Sequence, residues 1–243
     1  MVQYVHHKAD TRGLDHNGRL DSKKTFSFAD YYNPKRMGFG ALRVLNDDVL
    51  AGGKGFGSHP HDNMEIISIP LSGSLRHEDS LGNNAVVQAG QVQVISAGSG
   101  LFHSEYNHSA SLPASFLQIW IYPAALNTKP RYTRTNLPLA EQQNKLYTFI
   151  RPGGSGHSIA VRPDTWMSMG IFDKGAQVRY PLQEEGNGLY AFVIAGEFAI
   201  EGKVLQTRDG LGILNSKAIA AQSLSDAASL LLIEVPMDLS TIL

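Results

Sequence analysis

Two short patterns place metal-binding side chains at strand spacing. The first is Gly53-x5-His59-x-His61-x3-Glu65-x7-Gly73, and the second is Gly90-x5-Ser96-x-Gly98-x4-His103-x-Glu105-x-Asn107. Five of the nine histidines lie between His59 and His108. Side chains at i and i+2 share one face of a strand. His59 and His61 can therefore point one way, and His103 and Glu105 can do the same from a neighbouring strand. Imidazole nitrogens with one carboxylate suit iron, nickel, copper, manganese or zinc better than calcium or magnesium. Three neutral imidazoles and one carboxylate leave a divalent ion with a net positive charge, which favours an anionic ligand in any open position. Glu65 has the parity of His59 and His61, so spacing alone leaves two glutamates open as the carboxylate.

These residues need strands and tight turns to carry them. Apolar runs at Ala41–Leu45, Glu65–Leu71, Gln91–Ser96, Phe116–Tyr122, Leu189–Ile194, Gly210–Leu214 and Leu230–Val235 are separated by Gly, Asn, Asp and Pro. This predicts an all-β chain. Pro60 removes a ladder donor, so the His-x-His strand is expected to be at a sheet edge or irregular. Leu137–Lys145 reads as a short helix with Asn136 as its N-cap.

The chain repeats itself. IISIPLSGSL, QAGQVQVIS and LQIWIYP are matched by YAFVIAGEFAI, RDGLGILNS and LLLIEVP. Each copy reads strand, Gly73 or Gly196, strand, then Gly90 or Gly210, strand, and a last strand ending in Pro123 or Pro236. Two similar β units follow. The expected division is residues 1–130 as a metal-binding unit, 131–147 as linker, and 148–243 as a second unit without a metal. The second copy reads QVRYPLQEEGNG (Gln177–Gly188) where His-x-His would fall, and no His follows His157. Glu184 and Glu185 read as solvated loop charges.

Composition narrows the function. The 243 residues carry 21 Lys and Arg against 22 Asp and Glu, and no Cys. No basic run points to nucleic acid. Disulfides, thiolate metal sites and a Cys nucleophile are excluded. With no apolar segment for a signal peptide or a membrane span, the expected location is the cytoplasm. Gln118 and Trp120 share a face of Phe116–Tyr122. With Phe56 and Met64 beside the ligand motif, they are candidate walls of a substrate pocket. His77, in RHEDS, reads as a structural strand-end residue. His6, His7, His16, His108 and His157 read as surface residues.

The two patterns resemble the two cupin motifs, and the wider text resembles the pirin family. TFSFADYYNP (Thr25–Pro34), LRVLNDD (Leu42–Asp48), GFGSHPHDNMEI (Gly55–Ile66), LRHEDSLGN (Leu75–Asn83) and ISAGSGLFHSEYN (Ile95–Asn107) carry the likeness, from about residue 12 to residue 123. The C-terminal half is similar mainly in layout. The resemblance implies a bicupin: two face-to-face cupin β-barrels with short helices, and one divalent transition metal in the N-terminal barrel. Iron is the first choice, with nickel, copper, manganese, cobalt or zinc as alternatives. It assigns His59, His61, His103 and Glu105 as ligands, and Glu105 also as catalytic base. Glu65 then stands behind the ligands and orients an imidazole N–H. Bacterial pirins are described as quercetin 2,3-dioxygenases, which implies cleavage of a flavonol with O2. The expected protein is a monomer with no direct nucleic-acid or membrane partner. Eukaryotic pirins are described as iron-dependent nuclear co-regulators. The alternative is therefore a metal-dependent regulatory protein that binds a protein partner without turnover.

Overall fold

The computed structural model describes residues 1–154 and 156–240. Its strands in chain order begin with β1 (Gln3–His7), β2 (Gly13–His16), β3 (Leu20–Lys24), β4 (Leu42–Leu50), β5 (Gly55–His61), β6 (Glu65–Ser72) and β7 (Ser74–Asp79). Next come β8 (Asn84–Gln88), β9 (Gln91–Ser96), β10 (Leu101–Asn107), β11 (Ala114–Ile121), β12 (Arg131–Asn136), β13 (Tyr147–Ile150) and β14 (Trp166–Phe172). The series ends with β15 (Gln177–Pro181), β16 (Asn187–Ala195), β17 (Phe198–Ile200), β18 (Lys203–Leu205), β19 (Gly210–Leu214), β20 (Ala218–Ser223) and β21 (Ala228–Pro236). The only helical elements among the described residues are two 3-10 turns, Ala9–Thr11 and Leu139–Glu141. The helix expected over Leu137–Lys145 shrinks to the second of these. Asn136 ends a strand instead of capping a helix, and Pro138 restricts the residue before it to extended backbone.

The chain forms two compact units, residues 13–136 and residues 1–12 with 137–240. These boundaries differ from 130 and 147 because two strands pair across them. β12 pairs along β9, and β1 pairs along β19. His7 on β1 is consequently buried, its Nδ1 2.9 Å from the Tyr190 hydroxyl, and is not a surface residue.

The repeat is borne out in the strand order of both sheets, apart from β2, which has no counterpart in the other unit. The 13–136 unit has a large sheet β12-β9-β6-β11-β4-β3-β2 and a small sheet β5-β10-β7-β8. The other unit has β1-β19-β16-β21-β14-β13 and β15-β20-β17-β18. The shared order gives two all-β cupin units. They differ from the expected barrels in one respect: the sheets are open, and no hydrogen-bonded register joins a large sheet to a small one among the described residues. At the matching turns Gly73 and Gly196 have φ of 71° and 78°, a region that disfavours side chains. A Cβ on Gly73 would also lie 3.0 Å from Ala114. Among the described residues, no helix is long and apolar enough to cross a membrane.

Strand alternation sets what each unit buries. In the unit containing residues 137–240, Phe172, Val178, Tyr180, Phe198, Ile200, Leu205, Ile219, Leu230 and Leu232 belong to one apolar cluster. In the 13–136 unit, Leu20, Leu50, Leu75 and Phe116 form one cluster, and Ile66, Ile95 and Leu101 form another with Met64, Trp120 and Tyr132. A polar row crosses the large sheet between them: Asn46, Gln118, Ser68 and Gln93 are cross-strand neighbours. That row faces the site.

Candidate metal centre

The site is built on the inner face of the small sheet of the 13–136 unit. β5 is an edge strand, paired only with β10, so Pro60 costs no second ladder bond. His59 lies opposite His103, and His61 opposite Leu101. Below that the register slips, and Phe56 lies opposite Glu105. Three residue steps on β5 meet two on β10, a bulge that keeps Phe56 on the face that carries His59 and His61. On the other side of β10, β7 places Asp79 opposite His103 and His77 opposite Glu105.

The rings of His59, His61 and His103 converge. Their centroids are 4.4 Å (His59–His103), 4.8 Å (His59–His61) and 5.0 Å (His61–His103) apart. One ligand atom from each lies within 4.8 Å of the other two. His59 Nδ1 donates to the Gly57 carbonyl at 2.7 Å, which leaves Nε2 as its lone pair. Burial, with His103 and His59 nearby, lowers the His61 pKa to about 4. Burial, with His59 and His77, lowers that of His103 to about 3. Both imidazoles are therefore neutral at neutral pH and have lone pairs to give.

Glu105 is almost fully buried and tightly held. Its Oε1 accepts from Ser68 Oγ at 3.0 Å and from Gln93 Nε2, and its Oε2 accepts from Gln118 Nε2 at 2.9 Å. Tyr132 donates to Gln93 Oε1 at 3.1 Å behind it. The polar row of the large sheet thus positions a carboxylate carried by the small sheet. Glu105, His103 and His77 form a second convergent group that overlaps the first at His103.

Glu65 sits elsewhere. It accepts from Ser96 Oγ at 2.6 Å, and Ser96 accepts from Arg131 Nη2 at 3.1 Å. Burial outweighs both and raises its pKa to about 7. Among the described residues it belongs to neither convergent group, and its hydrogen bond comes from the Ser96 hydroxyl. Its parity with His59 and His61 is lost because the chain turns at Asp62–Met64 and enters the other sheet.

Trp120 stands edge-on to His61 at 4.9 Å and to Phe28 at 5.1 Å, and Phe56 edge-on to His59 at 6.5 Å. Met64 packs in the cluster with Trp120. Gln118 is spent on Glu105. Sequence reasoning missed His77, Gln93 and Ser68. His77 is fully buried, stacked on Tyr132 at 4.4 Å and 13°, with Nε2 3.0 Å from Asp79 Oδ2. Its signal was the shared parity of His77 and Asp79 in RHEDS. For Gln93 and Ser68 it was a polar residue inside an apolar run.

The donors fit a divalent transition metal. Both ring nitrogens of His103 and Nδ1 of His77 are buried without a hydrogen-bond partner. Each such atom costs about 1–3 kcal/mol unless something binds it. The set is nitrogen and oxygen only, borderline to hard in character.

Comparison with known proteins agrees. Residues 6–121 match the Pirin family model, and residues 148–235 match the quercetinase C-terminal cupin domain. The chain is 39% identical over 224 residues to a quercetin 2,3-dioxygenase of Escherichia coli, covering 92% of this chain and 95% of that one. The chain belongs to the pirin family. A pirin-like protein of Caulobacter vibrioides is 38% identical, over 88% of this chain and 92% of its own. The crystal structure of a bacterial pirin from Escherichia coli in complex with nickel(II) superposes with a TM-score of 0.91. It shares 38% identity, over 96% of this chain and 99% of the other. This pirin therefore has a close structural relative that holds a divalent transition ion.

Proposed function

We propose that this pirin is a metal-dependent dioxygenase that opens a flavonol such as quercetin with O2. The observation that carries the reading is the convergence of His59, His61 and His103 on one sheet face, with Glu105 in a second group that shares His103. Support comes from the Escherichia coli relative named quercetin 2,3-dioxygenase, which aligns over nearly the whole chain. His59, His61, His103 and Glu105 would hold one divalent transition metal, with iron first among the candidates. Such an ion acidifies a hydroxyl bound to it and brings redox chemistry with O2.

The chain's own groups do the rest. Ser68, Gln93 and Gln118 hold the Glu105 carboxylate in one orientation, ready to take the proton of the flavonol 3-hydroxyl. Trp120 and Phe56, beside His61 and His59, offer flat apolar surfaces to a planar ring system, with Met64 behind Trp120. Three neutral imidazoles leave the site a positive charge once loaded, which favours the flavonolate over the flavonol. The working unit in this reading is a single chain in the cytoplasm. An oxygen electrode with quercetin, coupled to carbon monoxide detection, tests the proposal. Metal-loaded protein should consume O2 and release carbon monoxide, and Glu105→Gln should do neither. Metal-loaded wild type that consumes no O2 with any flavonol tried would overturn it.

A further inference from the structure

Three buried imidazole nitrogens in the site lack a partner: both of His103 and Nδ1 of His77. The number is odd, and the strand register explains why that matters. His77 and Asp79 on β7 share the face that holds Glu105 and His103 on β10. The His77 and His103 rings lie 5.5 Å apart at 45°. Glu105 does not need His77, since both its oxygens already accept from Ser68, Gln93 and Gln118.

We infer that Asp79 and His77 are positioning residues that set the tautomer of His103 once a divalent ion is bound: His103, whose ring lies 5.5 Å from that of His77 without a hydrogen bond in this structure, then donates one ring N–H to His77 Nδ1 while its other nitrogen faces the cation. This satisfies two of the three orphaned nitrogens with one hydrogen bond and leaves one lone pair for the metal. It rests on reading His103 as a ligand. Asp79 accepts from Leu81 N and Asn83 N through Oδ1, and from His77 Nε2 and Asn83 Nδ2 through Oδ2. As an acceptor, it requires Nε2 of a neutral His77 to carry the proton, so Nδ1 is the free lone pair. Stacking on Tyr132 holds the His77 ring in that orientation.

Two substitutions separate this from a ring that merely fills space. His77→Phe keeps the ring and its stacking but removes both nitrogens. Asp79→Asn keeps an oxygen for the backbone amides of Leu81 and Asn83 and presents an amide N–H to His77 Nε2. That drives the His77 proton to Nδ1 and sets it against the His103 N–H. The probe is nickel(II) alone, titrated into the full chain, with thermal melting of the metal-free proteins alongside. Both variants should melt near the wild type and bind nickel about 10–100-fold more weakly. In the zinc-loaded wild type, nitrogen NMR should find His77 protonated at Nε2 only and His103 protonated at one nitrogen. In Asp79→Asn, His77 should be protonated at Nδ1. Nickel affinity unchanged in a folded His77→Phe, or His77 protonated at Nδ1 in the zinc-loaded wild type, would overturn the inference while leaving the metal site standing. Should His77→Phe fail to fold, the NMR assignment and Asp79→Asn decide. A wild type that binds no nickel would remove both this inference and the reading it rests on.

Discussion

The two units share one strand order and bury opposite chemistry. In the unit containing residues 137–240, the small sheet turns Val178, Tyr180, Phe198, Ile200, Leu205, Ile219 and Ala221 into a single apolar cluster. In the 13–136 unit the corresponding strands turn His59, His61, His77, His103 and Glu105 inward. The large sheets differ in step. Leu232, Ala191 and Leu211 form a cross-strand row where the other unit has Gln118, Ser68 and Gln93. The comparison teaches that the topology needs only a filled interior. One copy fills it with hydrocarbon, and the other gives up part of that stabilisation to hold imidazole nitrogens that the surrounding protein groups leave unsatisfied.

The largest effect should come from the carboxylate. Glu105→Gln removes the only anionic donor of the site and leaves its three hydrogen-bond donors facing a neutral amide. Metal affinity should fall by more than the ~10–100-fold expected of a group one step removed. Calorimetric titration with nickel would show it. Glu65→Gln should cost far less. If Glu65→Gln strips the metal while Glu105→Gln keeps it, the assignment of Glu105 is wrong.

The apolar unit should respond to a different injury. Phe198→Ala opens a cavity in its cluster and should cost about 3–5 kcal/mol in urea unfolding. Nickel stoichiometry at low temperature should not change. A loss of binding sites there would mean that the two interiors are not independent in chemistry.

A third substitution moves the metal-binding interior toward the other one. His103→Leu replaces two orphaned nitrogens with hydrocarbon. The metal-free protein should gain about 1–3 kcal/mol, because an unsatisfied buried polar atom is removed. It should gain this while losing the metal. A destabilised variant would show that His103 is well satisfied without an ion.

Much of this comparison was legible in the residues, for physical reasons. The apolar runs and glycines at Gly73 and Gly196 repeat with the same order, so the two-unit all-β plan followed from turn chemistry and alternation. The i, i+2 spacing of His59, His61, His103 and Glu105 placed each pair on one face, and Pro60 marked an edge strand. What could not be read was set by pairing between distant segments. β1 and β12 moved the unit boundaries because strand partners are not encoded locally. Parity misled for Glu65, because a turn moved it into the other sheet. His77 and Gln93 looked ordinary in their own strands, and only the register across β7, β10, β6 and β9 brings them to the site.

The smallest effect concerns pH and Glu65. Its carboxyl ionises near 4.5 in the unfolded chain and at about 7 in the fold, where burial opposes charge. Below pH 4.5 both states are neutral and its contribution is full. As pH rises from about 4.5 to 7 the unfolded chain ionises first, so stability falls, and above 7 nothing further is lost. Glu65→Gln should lack this fall. The difference between wild type and variant should change by on the order of 2 kcal/mol between pH 4.5 and 7.5 in urea unfolding of the metal-free protein. An equal slope for the two proteins would show that Glu65 titrates as an exposed carboxylate.

The contrast between the two interiors stands or falls on where the metal binds. Elemental analysis of nickel-saturated full chain, wild type against His103→Leu, measures this directly. The account predicts about one ion per chain in the wild type and almost none in the variant. Two ions per chain, or one ion retained by His103→Leu, would contradict it.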